Sequence, residues 1–175
     1  LVLLLRRMGG WRHMAGRVRG TLAQRIHTVT GRVLLAVLFL TSVTALTMSA
    51  PTLGLVVLDA RQNLNQTLTI DQNDRDNIKH TYSRVRMGTQ VSRRDALHLA
   101  LMSSENRMAS ALARHYPGGR SAFVRAMNNK ARQLGMRNTH FYDSTGLSTR
   151  NVSTAQDLGK LAAAAYRQPL IRQFT

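Results

Sequence analysis

Ala96-Leu97-His98-Leu99-Ala100-Leu101-Met102-Ser103-Ser104-Glu105-Asn106-Arg107-Met108-Ala109-Ser110-Ala111-Leu112-Ala113 is the stretch on which the fold turns. Ala96, Leu97, Leu99, Ala100 and Leu101 supply one apolar helical face. Met108, Ala109, Ala111, Leu112 and Ala113 supply a second, beyond the polar break Ser103-Ser104-Glu105-Asn106. Just upstream, Ser92-Arg93-Arg94-Asp95 places a hydroxyl cap three residues before an acid, the arrangement that opens a helix. Tyr116-Pro117-Gly118-Gly119 stops the second helix.

Working outward, Ser121 opens a third helix over 122–134 that Gly135 closes, and residues 136–148 read as extended and looped. Thr154-Ala155-Gln156-Asp157 repeats the capping arrangement before Leu158, Leu161, Ala162 and Ala165, in a helix that ends ahead of Pro169. On the other side, Leu53-Gly54-Leu55-Val56-Val57-Leu58 is continuously apolar and fits either a buried helix end or a buried strand. Leu68-Thr69-Ile70 is strand-like and precedes the turn-rich Asp71-Gln72-Asn73-Asp74. The expectation is a mainly helical segment with little strand.

Lysine and arginine total 25 against 8 acids in 175 residues, a formal charge of +17. Residues 1–50 hold Arg6, Arg7, Arg12, Arg17, Arg19, Arg25 and Arg32 and no acid. That arginine-rich stretch runs into the apolar run 33–46, the order of a signal peptide or signal anchor. We therefore expect an Arg-rich leader over 1–50, with the inner membrane as a candidate partner through residues 33–48 and a domain over 51–175. The expected location is the periplasm, or the inner membrane facing the periplasm. The run is shorter than the ~20 residues that span a bilayer comfortably. Only Lys79, Lys130 and Lys160 are lysines, and an arginine excess spread so evenly also fits a GC-rich coding sequence.

Several chemistries are excluded early. With no cysteine there is no disulfide and no thiolate. His13, His27, His80, His98, His115 and His140 are scattered without metal-ligand spacing, so neither a metal nor any other cofactor is expected. Arg107, Arg114, Arg120 and Arg125 lie on or between short helices, as in a helix-turn-helix reader, but no aromatic residues interleave them. Nucleic acid is not an expected partner.

Taken alone, Ser104-Glu105-Asn106 would be a helix cap. Its surroundings change that. The quoted stretch resembles the helix–Ser-x-Asn–helix element of low-molecular-mass penicillin-binding proteins, the D-alanyl-D-alanine carboxypeptidases and endopeptidases of the serine peptidase S11 family. Asn128 to Thr139 resembles that family's N-x-x-A-x-x-L-G-M-x-x-T run, and Phe141 to Leu147 its F-x-D-x-T-G-L loop. Ser153 to Leu158 resembles the next helix start, and Val56 to Ala60 the end of the nucleophile helix. The resemblance covers residues 53–175. Ser-Ser-Glu-Asn and Tyr-Pro-Gly-Gly look closest to the endopeptidase branch.

The resemblance implies the helical part of the α/β penicillin-recognising fold, with most of the sheet missing from this chain. It implies hydrolysis of D-Ala-containing peptide bonds in peptidoglycan by an acylated serine, with peptidoglycan peptide and β-lactams as partners. Ser104 would relay a proton to the leaving amine, and Asn106 would hold the substrate peptide. Two departures follow. Aligned without gaps, Thr47 stands where the nucleophile belongs and Ala50 where its lysine belongs; a two-residue gap puts Ser49 at the nucleophile and Thr52 at the lysine. No K-T-G precedes Thr175, and Lys160 is no substitute for it. The expectation is an inactive chain, as a truncated or mis-joined gene product or a pseudoenzyme. The alternative is a non-catalytic basic module that binds cell wall or another anionic partner.

Overall fold

The computed structural model describes residues 49–174. The leader with its apolar run at 33–46, and Thr47, lie outside the described residues. Residues 49–59 are helical (α1), so the apolar run 53–58 is a buried helix and not a strand. Leu53, Val56 and Val57 are fully enclosed in the core. Gly54 brings this helix close to its neighbours, because a Cβ there would sit 3.2 Å from Ile171 Cδ1 and 3.5 Å from Leu101 Cδ2.

A two-stranded antiparallel sheet follows, β1 (Thr67–Thr69) with β2 (Gln90–Ser92), in the register Leu68 opposite Val91. Between the strands, Gln72–Asp74 forms a 3-10 turn closed by a reciprocal capping box between Asp71 and Asp74. Helix α2 (Arg93–Met102) starts at Ser92, whose hydroxyl oxygen accepts from the Asp95 amide at 3.0 Å. Arg93, at its first turn, is buried. Its guanidinium donates to Gln62 Oε1 (2.6 Å), Gln66 Oε1 (2.5 Å) and the Asn63 carbonyl (3.3 Å), pinning the 62–66 loop to the helix start. Burial among neutral acceptors lowers the Arg93 pKa.

Helix α3 (Asn106–Arg114) is deeply enclosed, with every residue from Met108 to Ala113 buried. It packs against α2, the 3-10 turn, β1 and helix α4 (Gly119–Gln133). Helix α4 begins two residues before Ser121, the opening expected from sequence. Gly118 at φ +82° is its N-cap and lets one turn both end α3 and start α4. Its far end is a Schellman turn: Met136 N–H donates to the Ala131 carbonyl, Gly135 has φ +70°, and Met136 itself is buried. Helix α5 (Ala155–Tyr166) is capped by Thr154, as expected. A short helix α6 (Pro169–Gln173), absent from the sequence reading, opens with proline at its first position.

Most of the core forms where these helices meet, around Leu97, Met108, Leu112, Phe123, Met127 and Phe141. Among the described residues, no helix is long and apolar enough to cross a membrane.

Candidate active site

The Ser-x-Asn turn joins α2 to α3, and its two serines behave differently. The Ser103 hydroxyl donates back to the Leu99 carbonyl at 2.8 Å, and the Ser103 amide donates to the same oxygen. This ends α2. Ser104 takes φ +51°, the left-handed region that non-glycine residues seldom occupy. Such a conformation costs about 1–2 kcal/mol. It turns the chain sharply between two helices, and the Ser104 hydroxyl makes no hydrogen bond to another described residue. Glu105 then caps α3, its carboxylate accepting from the Arg107 amide at 3.1 Å.

Asn106 is the first residue of α3, and its Nδ2 donates to Thr81 Oγ1 at 3.0 Å. Thr81 ends a tight loop organised by one carboxylate, Asp76. Asp76 accepts from the amides of Ile78 (2.7 Å), Lys79 (3.1 Å) and Thr81 (2.7 Å), and from the Thr81 hydroxyl (2.8 Å). Partial burial pushes the Asp76 carboxyl up, but these four hydrogen bonds outweigh it and hold its pKa at about 2. Arg107 binds the same segment one step further on, through the Val85 carbonyl.

Asn106 also lines a cleft of about 620 Å³. One wall is the 73–78 segment, and another is α4 at Arg120, Ser121, Val124 and Arg125. The third is the 142–147 loop, the stretch resembling F-x-D-x-T-G-L. That loop is held by a dense set of hydrogen bonds. Asn128 grips Phe141 from both sides, Nδ2 donating to its carbonyl at 2.8 Å and Oδ1 accepting from its amide at 2.9 Å. Asp143 accepts from Thr145, Leu147, Ser148 and Asn151. Ser144 Oγ ties the loop to α3 through the Ala109 carbonyl at 3.3 Å.

Asp74 and the arginines around it were not foreseen as a group. Buried Asp74 takes Arg114 on both oxygens (3.1 and 2.7 Å) and Arg120 at 3.0 Å. Arg114 reaches Asp71 as well, at 3.1 Å, and Arg120 also donates to Ser110 Oγ at 3.0 Å. Three of the four arginines considered for nucleic acid, Arg107, Arg114 and Arg120, thus bind this protein's own loops, though Arg120 stays partly exposed. Two arginines on the cleft rim, Arg75 and Arg125, are exposed and have no ion-pair partner among the described residues. The repeated Arg–Asp pairs across 71–74 and 114–120 were the signal available in sequence, but nothing in the spacing told which arginine met which acid.

Ser49, the gapped candidate for the nucleophile, is buried at the described start of α1. Ala50 and Thr52 occupy the two alternative lysine positions. The lysines that could act as a base are engaged elsewhere or far along the chain: Lys130 pairs with Asp59, and Lys160 binds Asp157 (3.0 Å) and the Gly135 carbonyl (2.5 Å). Lys79 is exposed. No group of histidine and acidic side chains among the described residues is arranged to hold a metal ion.

The sequence profile of the D-alanyl-D-alanine carboxypeptidase family, peptidase S11, matches residues 23–175, a reach thirty residues longer than the motif resemblance. A D-alanyl-D-alanine endopeptidase of Escherichia coli K12 is 55% identical over 122 residues, and one of Pseudomonas aeruginosa is 52% identical over 122. In both cases the match covers 70% of this chain and 39% of the relative, so the chain spans about two-fifths of their length. A D-alanyl-D-alanine carboxypeptidase structure from Mycobacterium tuberculosis superposes with a TM-score of 0.64 at 32% identity, over 74% of this chain and 49% of that one. The helix–turn–helix around Ser104, the Asn128 clasp and the Asp143 loop all lie within the matched residues, and the chain belongs to the peptidase S11 family of D-alanyl-D-alanine carboxypeptidases.

Proposed function

We propose that this chain carries the substrate-holding part of a peptidoglycan-directed D-Ala-D-Ala peptidase, with Ser104 as proton relay and Asn106 as the amide that grips the substrate peptide. The observation that carries the reading is the left-handed Ser104 turn, which leaves its hydroxyl uncommitted two residues before Asn106 on the cleft wall. A hydroxyl can accept a proton and pass one on, and a side-chain amide can pair with both edges of a peptide unit. The free arginines Arg75 and Arg125 make the cleft a suitable host for the carboxylates of a stem peptide. Cleavage of a cross-link is favoured over trimming of a free end by Ser103-Ser104-Glu105-Asn106 and Tyr116-Pro117-Gly118-Gly119, and by the endopeptidase names of the relatives.

Acylation is a separate matter. A serine at its ordinary pKa is a weak nucleophile without an adjacent base. With Ala50 or Thr52 in the lysine position, we propose that this chain binds substrate and β-lactam without forming the acyl-enzyme. We also propose export directed by the arginines and the apolar run at 33–46, to the periplasm or the outer face of the inner membrane.

Calorimetric titration of the 175-residue chain with a cross-linked muropeptide dimer and with a pentapeptide ending in D-Ala-D-Ala tests this. The dimer should bind more tightly than the pentapeptide, and N106A should weaken the dimer about tenfold, the worth of one to two hydrogen bonds. Binding that ignores N106A but collapses with salt would replace this reading with the basic-module alternative. A fluorescent penicillin should leave no covalent band on a denaturing gel; a labelled band that disappears in S49A would show a working nucleophile and overturn the inactivity proposal.

A further inference from the structure

Asp76 and Thr81 do more than shape a loop. A carboxylate only accepts, so the single Thr81 hydroxyl proton is committed to Asp76 Oδ2 at 2.8 Å. What Thr81 Oγ1 presents to Asn106 is therefore a lone pair. At 3.0 Å only the NH2 end of the Asn106 amide can face it. The carboxamide is then fixed about its last bond, with Oδ1 on the opposite edge and the second Nδ2 proton turned away from Thr81.

We infer that Thr81, itself oriented by Asp76, is a positioning residue that sets which edge of the Asn106 amide meets the substrate. The inference rests on Asn106 as the substrate binder proposed above. A peptide bond offers an N–H on one side and a C=O on the other, so an inverted carboxamide would meet donor with donor and acceptor with acceptor. Fixing the amide before substrate arrives removes that misorientation, which is what a pre-organised site requires. The support is itself held twice. Asp76 closes the 76–81 loop through three backbone amides, and the Arg107 guanidinium holds the Val85 carbonyl of the same segment, next along the chain from Asn106.

Nuclear magnetic resonance of the whole 175-residue chain tests this through the Asn106 side-chain NH2 group. In the unmodified protein the two Nδ2 protons should differ in solvent exchange by about tenfold, the one bonded to Thr81 being the slower. T81V removes the hydroxyl at constant shape and should abolish the difference; T81S should restore it, and D76A should weaken it. A T81V spectrum with unchanged Asn106 side-chain signals overturns the inference, as does failure of T81S to restore them. If T81V does not fold, the unmodified protein still decides, because equal exchange of the two protons there overturns the inference on its own. Pentapeptide affinity adds a functional reading: T81V should lower it several-fold, and T81V should add nothing to N106A. Should the pentapeptide not bind the unmodified chain, the proposed function falls, while the exchange asymmetry still stands or fails by itself.

Discussion

Ser103 and Ser104 are adjacent and chemically identical, and backbone geometry alone divides their work. Ser103 closes a helix with its hydroxyl, whereas Ser104 sits in a strained turn with its hydroxyl unpaired. Glycine relieves that strain, so S104G should raise the stability of the chain by about 1 kcal/mol in urea unfolding while removing the proposed relay. A loss of stability would mean that the hydroxyl has a structural role after all. The opposite is expected at Asp74, which is buried beneath two guanidinium groups. D74A leaves Arg120 without its acid and Arg114 with Asp71 alone, and should cost about 3 kcal/mol. Sequence made Ser104 and Asn106 visible because they fall in a recognisable motif. Thr81 and Asp76 were invisible, since their role depends on a loop folding 25 residues back onto Asn106.

Helix boundaries were legible where a side chain does the capping. Ser92 and Thr154 both accept from the amide three residues on, as their spacing predicts. Asp157 shows where that reading stops short. Instead of serving only its helix, it is buried and accepts from the Asn138 amide (2.8 Å), Thr139 Oγ1 (2.9 Å) and Lys160 (3.0 Å), tying α5 to the preceding loop. Burial acts against its ionised form, yet these donors draw its pKa below the usual carboxylate value. The start of α4 was misplaced because Gly118-Gly119 is at once a stop and a start. The β1–β2 pairing escaped notice because three-residue strands carry almost no alternation. Two glycine substitutions should separate the roles. In G118A the added Cβ would lie 2.9 Å from Ala122 Cβ at φ +82°, a loss of about 1–2 kcal/mol. In G159A, inside α5 with open space around the new methyl, a gain of ~0.5–1 kcal/mol is expected. Chemical denaturation of both variants reads this directly.

The whole molecule should respond to acid in two steps. His115 is held neutral, first by burial and then by the Arg114 charge, so its folded pKa lies below 6.5. Its contribution to stability is complete above about pH 6.5 and is lost as pH falls through the lower folded value. H115Q should remove that step from a plot of melting temperature against pH. Asp76 and Asp157 share the second step, present above their ordinary 3.8 and lost below it, for Asp76 as pH falls toward about 2. D76N should shrink that step to the part Asp157 supplies.

The arginine wiring around Asp74 has a further consequence for how the basic composition can drift. Arg114 uses Nε and Nη2 on Asp74, Nη1 on Asp71, and Nη2 again on the Thr69 carbonyl at 2.7 Å. An ammonium cannot reproduce that fork, so lysine is no equivalent there. At exposed positions such as Arg84, Arg86, Arg94 and Arg137 the guanidinium has no ion-pair partner among the described residues, and lysine or glutamine would serve as well. One residue type thus obeys two regimes in a single chain. Mutational bias is free to set it on the surface, and the geometry of a buried carboxylate dictates it within.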